Sequence, residues 1–530
     1  MRHTRRSLAL VTTAATVAAL TAACGGGGGS SPQGSSSGGG SGGNGGAPQR
    51  GGTLVIDRTH DSQSMDATTV PDNESIFVFE QIFDTLYTVA PDGKKVVPDL
   101  ATSYSLSKDK KTYTFHLRKG VKFSTGKPMT SADVKFSIDQ ARAAKNGWGY
   151  IDGAIKDVQA PDPSTVVVHT KYPWAPLLAD ISMFNNGVVP KDYAGKTKAQ
   201  FYQAPVGTGP FKWGSWTKGQ NLTLVRNPNY WKKGKPYLDK VVWSAVGDDN
   251  TRALQLQGGQ AQIDEYPPFS SVDQLKAASG VKVTLFPSTQ TDYIMFNEQH
   301  KPFNDVHVRR AISYAINRKA LVRTVLFGNG KPANSLMPPQ VPYYDPNAPG
   351  AQYNMAKAKQ EMAKSSVPHG FTTTFLSGSG AATDDAIAQE LQQSLKPLGI
   401  KVNIVKYDTS TVRQRQQTGK YDMTHSAWTM DIADPDELVS FAVDPNGGAN
   451  EFFTWYHNPA VIKLSRQAEK TFDKSKRAQL YSQIQKMTAN DAFMAFLYYS
   501  PYAYAYSDKV HGFQVYPTGN YHMENVWLSK

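Results

Sequence analysis

The residues with the clearest chemical potential lie in one stretch, 421–435, where a tryptophan and an aspartate are three positions apart. Trp428 and Asp431 are followed closely by Asp434 and a proline. A partly desolvated carboxylate attracts an ammonium group strongly, and an indole face forms an apolar wall that tolerates a cation. The alternative is an acid that closes a turn or caps a helix, a role that suits Asp434 and Asp436 better. Asp431 is therefore the candidate that faces a ligand.

Sequence motifs for catalysis are weak by comparison. A Gly-Ser-Gly run at 378–380 is not a nucleophile elbow, because Ser377 takes the place of the first glycine. A Gly-Thr-Gly run at 207–209 fails as a dinucleotide fingerprint, because Lys212 takes the place of the third glycine. The eleven histidines are dispersed, without a pair at metal-ligand spacing on one helix. We expect no catalytic residue, metal or cofactor, although two facing glycosidase carboxylates would leave no sequence signal.

The N-terminus predicts export and anchoring. Three arginines precede an apolar run at 8–23, which ends in small residues before Cys24, the only cysteine. This pattern predicts a signal peptide at 1–23 and resembles a bacterial lipobox, in which the cysteine is lipidated, for example with palmitate. Thr21 departs from it where leucine is preferred, so a conventional secretory signal with an incidental cysteine is the alternative. Arg5-Arg6 admits twin-arginine export, but ordinary secretion fits better.

The next segment and the overall charge point to a body held near a membrane surface. Residues 24–51 are almost entirely glycine, serine and other small or polar residues, which predicts a flexible tether. The formal net charge of the 530-residue chain is +13, from scattered lysines without a nucleic-acid-binding motif. We therefore expect a solvated basic surface and no nucleic-acid partner. No later stretch has 18 uninterrupted apolar residues, so nothing else spans the membrane.

Helical and strand patterns alternate along the rest of the chain. Residues 74–87 have apolar side chains at three-to-four spacing, which predicts a helix. Strand alternation at 113–117 is followed by Thr130 and Asp133, which predict the start of another helix. A third helix should follow Asp305 and end at Gly328. These patterns predict an α/β protein.

Three stretches carry a resemblance to a known family. They are PDLATSYSLSKDKKTYTFHLRKGVKFSTGKPMTSADVKFSIDQ at 98–140, GTGPFKWGSW followed by LVRNPNYWKKGKPYLDKV at 207–241, and TDYIMFNEQHKPFNDVHVRRAISYAINRKALVRTVLFG at 291–328. Their order and spacing resemble the large extracytoplasmic solute-binding proteins of ABC importers, in the peptide, opine and nickel family (family 5). Two departures, Ser124-Thr125-Gly126 in a turn and Asn317 before Arg318, affect no functional position.

The resemblance implies a two-lobed, periplasmic-binding-protein-like (Venus flytrap) fold with an accessory domain inserted in the first lobe. It places the first lobe at 52–87, 203–287 and 510–530. The accessory domain would cover 88–202, and the second lobe 288–509.

The resemblance also implies a set of ligand-binding residues. In peptide-binding members, a matching W-x-x-D places an acid against the free amino terminus of the ligand, which implies that role for Asp431 with Trp428 as a wall. Tyr293, on the predicted crossing strand, is a further wall candidate, with core packing as the alternative. The first loop of family members lines the cleft, which makes Thr59, His60 and Ser62 candidates, although a plain surface loop fits equally well.

The predicted function is capture of a solute, an oligopeptide by preference, and its delivery to a membrane permease with a partner ATPase. The receptor is expected to be a monomer, lipid-anchored on the extracytoplasmic face of the cell membrane. An oligosaccharide or a metal complex remains open as the ligand, and a secreted hydrolase is the alternative class. Arg413 and Arg415 are conceivable partners for a peptide carboxylate, but their polar run fits a solvated surface better.

Overall fold

The computed structural model describes residues 47–380, 382–447 and 453–530. The predicted signal peptide 1–23, the predicted lipidation site Cys24 and the tether up to residue 46 lie outside the described residues. Within the described part of the chain, no helix is both long enough and apolar enough to cross a bilayer.

Strands and helices alternate along most of the described chain. The strands are, in chain order, β1 Thr53–Arg58, β2 Tyr87–Val89, β3 Val96–Pro98, β4 Ala101–Leu106, β5 Thr112–Leu117, β6 Ile155–Asp162, β7 Thr165–Thr170, β8 Phe211–Thr217, β9 Asn221–Arg226, β10 Lys240–Ala245, β11 Ile263–Glu265, β12 Val281–Phe286, β13 Thr291–Phe296, β14 Lys331–Pro332, β15 Thr372–Gly378, β16 Lys401–Tyr407, β17 Met423–Trp428, β18 Met494–Tyr499, β19 Tyr502–Ser507, β20 Val510–His511 and β21 Trp527–Leu528. The α-helices are α1 Asn73–Phe79, α2 Ser131–Ala143, α3 Leu177–Asp180, α4 Lys198–Gln203, α5 Asp249–Gln257, α6 Val272–Ala277, α7 Val306–Ala315, α8 Arg318–Val325, α9 Met355–Lys364, α10 Ala382–Leu395, α11 Thr409–Gln417, α12 Asp436–Val443, α13 Pro459–Glu469 and α14 Lys474–Asp491.

Three larger sheets organise these elements. A seven-stranded sheet has the order β12-β19-β11-β1-β10-β9-β8, and a six-stranded sheet has the order β14-β18-β13-β17-β15-β16. Both are mixed: β1 runs parallel to β10 and β11, and β15 runs parallel to β16 and β17. An antiparallel sheet, β4-β5-β7-β6, stands apart from them. The first two sheets form the cores of two α/β lobes, and the third belongs to the accessory region inserted between β1 and β8.

The chain passes between the lobes at two neighbouring places. It leaves the seven-stranded sheet after β12 and returns between β18 and β19. Ser288 donates a hydrogen bond to the carbonyl of Ser500, which joins the two crossing segments. The sequence prediction kept residues up to 509 in the second lobe, but β19 pairs with β11 and β12 of the first lobe, so the return lies at residues 500–501. The sequence prediction missed this return because apolar and aromatic residues continue through both β18 and β19, so the sequence shows no boundary between the lobes there. The other domain boundaries stay predictions.

A short-range hydrogen bond starts α2 where the sequence predicts, whereas tertiary packing ends α1 earlier than predicted. The backbone N–H of Thr130 donates to Asp133 Oδ2 at 2.7 Å, which starts α2 as predicted. The predicted helix over 74–87 ends early, at Phe79. Its next carbonyls bond to another segment, since the N–H of Gly209 donates to the Ile82 carbonyl at 2.8 Å. Only glycine fits beside this turn, because a Cβ at Gly207 would lie 2.0 Å from the Ile82 oxygen.

A buried histidine links three elements of the second lobe close to the crossing segments. His425, on β17, contacts Asp292 on β13 through Nε2 at 3.2 Å and Asp384 on α10 through Nδ1 at 2.8 Å. Ser500, on the return crossing, donates to the other oxygen of Asp292 at 2.9 Å. Burial lowers the pKa of His425, but the two carboxylates outweigh this and raise the pKa to about 9. The imidazolium therefore holds the helix and sheet together at neutral pH.

We expect the free energy of unfolding to fall as the pH rises through about 9. The pKa of His425 is raised from 6.5, so its contribution is complete below pH 6.5 and is lost above pH 9. The loss should be about 3 kcal/mol, from about 1.4 kcal/mol per pKa unit. Denaturant unfolding between about pH 6 and 10 measures it. His425→Gln should flatten this dependence and His369→Gln, at an exposed histidine, should keep it; an equally steep slope in both variants would contradict the assignment.

Candidate functional site

The loop after β17, which carries the W-x-x-D pattern, is fixed against the crossing segments. The N–H of Met430 donates to Thr289 Oγ1 at 3.1 Å, and Thr289 is fully buried between the lobes. Thr289 Oγ1 also lies 3.0 Å from the carbonyl of Pro517, in the returning part of the first lobe. One side chain therefore touches both lobes, and it sets the position of the residue that precedes Asp431.

The acids of this loop divide into structural and unpaired ones. Asp434 accepts two hydrogen bonds from the buried guanidinium of Arg477, at 2.6 and 2.8 Å. Asp434 also accepts the N–H of Asp436 at 3.0 Å. These contacts assign Asp434 the structural role that the sequence favoured for it. Asp431 makes no ion pair with any described residue.

A third acid, Glu437 of α12, holds the loop in place through hydrogen bonds. It is 1% exposed, and its Oε2 accepts the N–H of Asp431 at 2.9 Å and that of Ile432 at 3.2 Å. The indole N–H of Trp428 donates to Oε1 at 3.3 Å. Burial, with repulsion from Asp431 second, raises the pKa of Glu437 well above its usual range. Trp428 and Asp431 are thus oriented by a shared acid.

Asp431 lines a cavity of about 30 Å³ at the junction of both lobes and the accessory region. The other side chains around it include Glu80, Asn520 and His522 of the first lobe, and Ser182 and Phe184 of the accessory region. A volume of this size admits a small head group with water and excludes a whole ligand. Entry of a larger ligand therefore requires the lobes to separate.

The electrostatics of the cavity favour a cation. Burial raises the pKa of Glu80 to about 8, against a weaker opposing effect of its hydrogen bond from Asn520. Burial, then repulsion from Glu80, raises the pKa of Asp431. Glu80 Oε2 is buried and has no hydrogen-bond partner in the described part of the chain. Two carboxyl groups on opposite lobes therefore line one cavity, and their hydrogen bonds with Asn520 and Glu437 do not outweigh the effect of burial.

No cation of the described residues forms an ion pair with Glu80 or Asp431. A lysine, Lys232, pairs with acids at the other end of the cavity. Lys232 Nζ lies 3.7 Å from Asp99 and 3.0 Å from Glu524. His522 lines the cavity, but burial lowers its pKa to about 4, so it is neutral at neutral pH. Glu80 and Asp431 thus form an acidic site, in which a bound ammonium group would favour the ionised carboxylates and donate hydrogen bonds to them.

The predicted loop residues lie elsewhere. Ser62 is 6% exposed, and its hydroxyl donates to the Glu74 carbonyl at 2.8 Å within the first lobe. Thr59 is half-buried and His60 is exposed. None of the three lines the cavity at Asp431. The neighbouring Asp61 explains this, because it accepts the indole N–H of Trp216 at 2.9 Å and so holds the loop against β8. The structure does not bring residues 59–62 to Asp431, and their ligand role stays a prediction.

The two predicted wall residues do not line this cavity, and their ligand role stays a prediction. Tyr293 is 1% exposed in the core and does not line the cavity, which favours the alternative of core packing. Trp428 is half-buried, with its ring centre 5.5 Å from that of Phe441. Arg413 is exposed on α11, as expected for a solvated surface. Of the predicted ligand residues, only Asp431 lines the cavity.

Sequence reasoning missed Glu80, Glu437 and Asn520. Glu80 directly follows the apolar run of α1, and an acid in that position resembles an ordinary helix end. Glu437 is one of two acids at the start of α12, which reads as a response to the helix dipole. No local signal marks Asn520. In the described part of the chain, no group of three or more His, Cys, Asp or Glu side chains is arranged to hold a metal ion.

A cavity between two α/β lobes that are joined by two crossing segments defines a bilobal ligand-binding protein. The family model for bacterial extracellular solute-binding proteins, family 5 (middle), matches residues 95–450. The chain therefore belongs to this family of solute-binding proteins, which confirms the predicted family and its two-lobed fold with an inserted accessory domain.

Known relatives cover most of the chain. It is 34% identical over 479 residues to the probable D,D-dipeptide-binding periplasmic protein DdpA of Escherichia coli (strain K12), covering 88% of this chain and 92% of that protein. It is 29% identical over 462 residues to the dipeptide-binding protein of the same strain, covering 82% and 86%. The solved ABC transporter-associated periplasmic binding protein DppA of Helicobacter pylori, in complex with the peptide STSA, is similar with a TM-score of 0.81 and 30% identity, covering 91% of this chain and 99% of that chain.

Proposed function

We propose that this protein captures a peptide with a free amino terminus between its lobes and delivers it to the permease of an ABC importer. The observation that carries this proposal is the pair of buried carboxyl groups, Glu80 and Asp431, which face each other across the lobes without a described cation. The names of the relatives, which include a dipeptide-binding protein and an ABC transporter-associated protein bound to a peptide, support the ligand class.

The proposed mechanism is hinge closure. The lobes separate about the two crossing segments to admit the ligand, and the ligand ammonium then bridges Glu80 of the first lobe and Asp431 of the second. Because it contacts both acids only when the lobes are together, it stabilises the closed form. The closed form docks on the permease. The protein supplies binding and no catalysis, and it works as a monomer anchored through lipidated Cys24 on the extracytoplasmic face of the membrane.

The proposal is tested by comparing a short peptide with its N-acetylated form in titration calorimetry. Acetylation removes the positive charge and keeps the rest of the ligand, so the free peptide should bind more tightly by about tenfold or more. Equal affinities would overturn the amine site. Binding of an oligosaccharide or a metal complex in place of either peptide would keep the fold and the hinge and replace the ligand class.

Binding of an amine ligand should release protons. The pKa values of Glu80 and Asp431 are both raised to about 8, so both carboxyls are largely protonated at pH 7, and a bound ammonium lowers these pKa values and drives protons off. We expect release of about one to two protons per peptide at pH 7 and tighter binding as the pH rises from about 5 to 8. Calorimetry in two buffers of different ionisation enthalpy measures the release. A binding enthalpy independent of the buffer would contradict it, and Glu80→Gln should reduce the difference.

A further inference from the structure

A second, larger cavity lies where the accessory region meets the second lobe. It has a volume of about 330 Å³. Tyr150, Tyr172 and Trp174 of the accessory region form one side, and side chains of α12 and α13 form the other. Five acidic and two basic side chains line it: Asp180, Asp436, Glu437, Asp444, Glu469, Arg466 and Lys470. We call this space the acidic pocket.

The basic side chains leave most of these acids unpaired. Arg466 is committed to Asp444, with nitrogen–oxygen distances of 2.5 and 2.7 Å. Lys470 is exposed, and no ion pair joins it to an acid of the described residues. Burial is the main cause that raises the pKa of Glu469, to about 7, and that of Asp436 well above its usual range. The pocket has an excess of acidic groups that a visiting cation would relieve.

One of the acids carries an unsatisfied atom. Asp436 is 5% exposed and lines the pocket, and its buried Oδ1 has no hydrogen-bond partner among the described residues. Leaving a buried carboxyl oxygen without a hydrogen bond costs free energy, so native proteins rarely keep one without a reason. A ligand group with N–H donors would satisfy this oxygen. This observation is independent of the number of acids.

The aromatic side chains suit an organic cation in particular. Lys470 Nζ already lies 5.1 Å from the centre of the Tyr172 ring, which shows that this wall accepts an ammonium group. Tyr172 and Trp174 meet edge to face with ring centres 5.7 Å apart, and they give the alkyl part of a lysine or arginine side chain an apolar surface. A bare metal ion would gain nothing from them.

The acidic pocket adjoins the amine site. Glu437 lines the pocket while its Oε2 is 2.9 Å from the backbone nitrogen of Asp431, so one side chain separates the two spaces. On the accessory side, Asp180 lines the pocket and Ser182, two residues on, lines the small cavity. A short ligand with its amine at Asp431 is therefore within reach of the pocket once the lobes have closed around it.

We infer that the acidic pocket binds a second cationic group of the ligand, the side chain of a lysine or arginine in the peptide whose amino terminus lies at Asp431. This rests on the proposed function and adds a preference for peptides that contain a lysine or arginine. Asp436 and Glu469 supply the acceptors, and Tyr172 and Trp174 supply the apolar walls. Neutral peptides would still bind through the amine site, with lower affinity.

The test compares tripeptides that contain lysine at position 2 or 3 with matched peptides that contain norleucine, which keeps the four-carbon side chain of lysine and lacks its ammonium group. Calorimetry at constant pH and salt should show about tenfold tighter binding of at least one lysine peptide, the size expected for one charged hydrogen bond. Asp436→Asn and Glu469→Gln should each reduce this preference to less than about threefold, measured as the ratio of lysine-peptide to norleucine-peptide affinity in the same variant. Asp192→Asn makes the same substitution on the exposed surface and should keep the preference.

The outcomes separate this inference from the proposed function. Equal binding of lysine and norleucine peptides overturns the acidic pocket and keeps the peptide receptor. Binding of neither peptide overturns both. A lysine preference that survives in both acidic variants places the cation elsewhere and overturns the pocket. If Asp436→Asn does not fold by circular dichroism, Glu469→Gln decides the question alone, because Glu469 lies on α13, outside the loop that holds Asp431.

Discussion

Asp431→Asn is expected to weaken the binding of a peptide with a free amino terminus by about tenfold to a hundredfold. A charged hydrogen bond contributes about 1.5–3 kcal/mol, and asparagine replaces the charge with a dipole of nearly the same shape. The variant also removes repulsion between Asp431 and Glu80, so the ligand-free protein should be no less stable than the wild type. Calorimetry gives the affinity, and thermal unfolding gives the stability.

The ligand itself provides the control for this prediction. An N-acetylated peptide has no ammonium group. Its affinity should be weaker than that of the free peptide, and it should be equal in the wild type and in Asp431→Asn. Glu80→Gln removes the opposite acid of the same cavity and should weaken the free peptide in a similar way. Unchanged affinity of the free peptide in both variants would place the ligand amine away from this cavity and refute the site.

Arg477→Met is expected to reduce the free energy of unfolding by about 3–5 kcal/mol. The guanidinium of Arg477 makes two hydrogen bonds to Asp434 and one of 3.0 Å to the carbonyl of Ala468, and both charged side chains are more than nine-tenths buried. Methionine fills a similar volume but leaves Asp434 charged and unpaired in the core. Because Asp434 ends the loop that carries Asp431, ligand affinity should fall as well.

Two further variants distinguish the effect of the buried Arg477–Asp434 pair on stability from the effect of removing any arginine. Asp434→Asn combined with Arg477→Met removes both charges and should recover much of the lost stability. Arg142→Met breaks a more exposed pair, Arg142 with Asp139 at 3.2 Å, and should cost less than about 1 kcal/mol. Denaturant unfolding of the four proteins measures these differences. A loss below about 1 kcal/mol in Arg477→Met would show that the pair does not hold this part of the second lobe.

Much of the fold was predictable because its signals are local. Thr130 with Asp133, and Asp305 before α7, satisfy the first N–H groups of their helices from within one turn of chain. Residues further along the sequence altered two predictions. Backbone N–H groups of the segment 207–211 donate to the carbonyls that would have extended α1. Strand β19 pairs with β11 and β12 of the first lobe, which lie more than 200 residues earlier, so no local pattern indicates this pairing.

The sequence by itself determined the family, the alternation of helices and strands, and Asp431 as the acid to examine. Those inferences depend on residue types and short spacings, which a linear chain displays directly. Only the tertiary structure decided that Glu80, Asp431 and Asn520 meet at one cavity, since the spacing of residues on different lobes is set by packing and by the two crossings. The structure also decided which acids are paired and which are not, because pairing and burial are properties of the folded chain. Asp431 and Asp434 are three residues apart, yet Arg477 forms an ion pair only with Asp434 among the two.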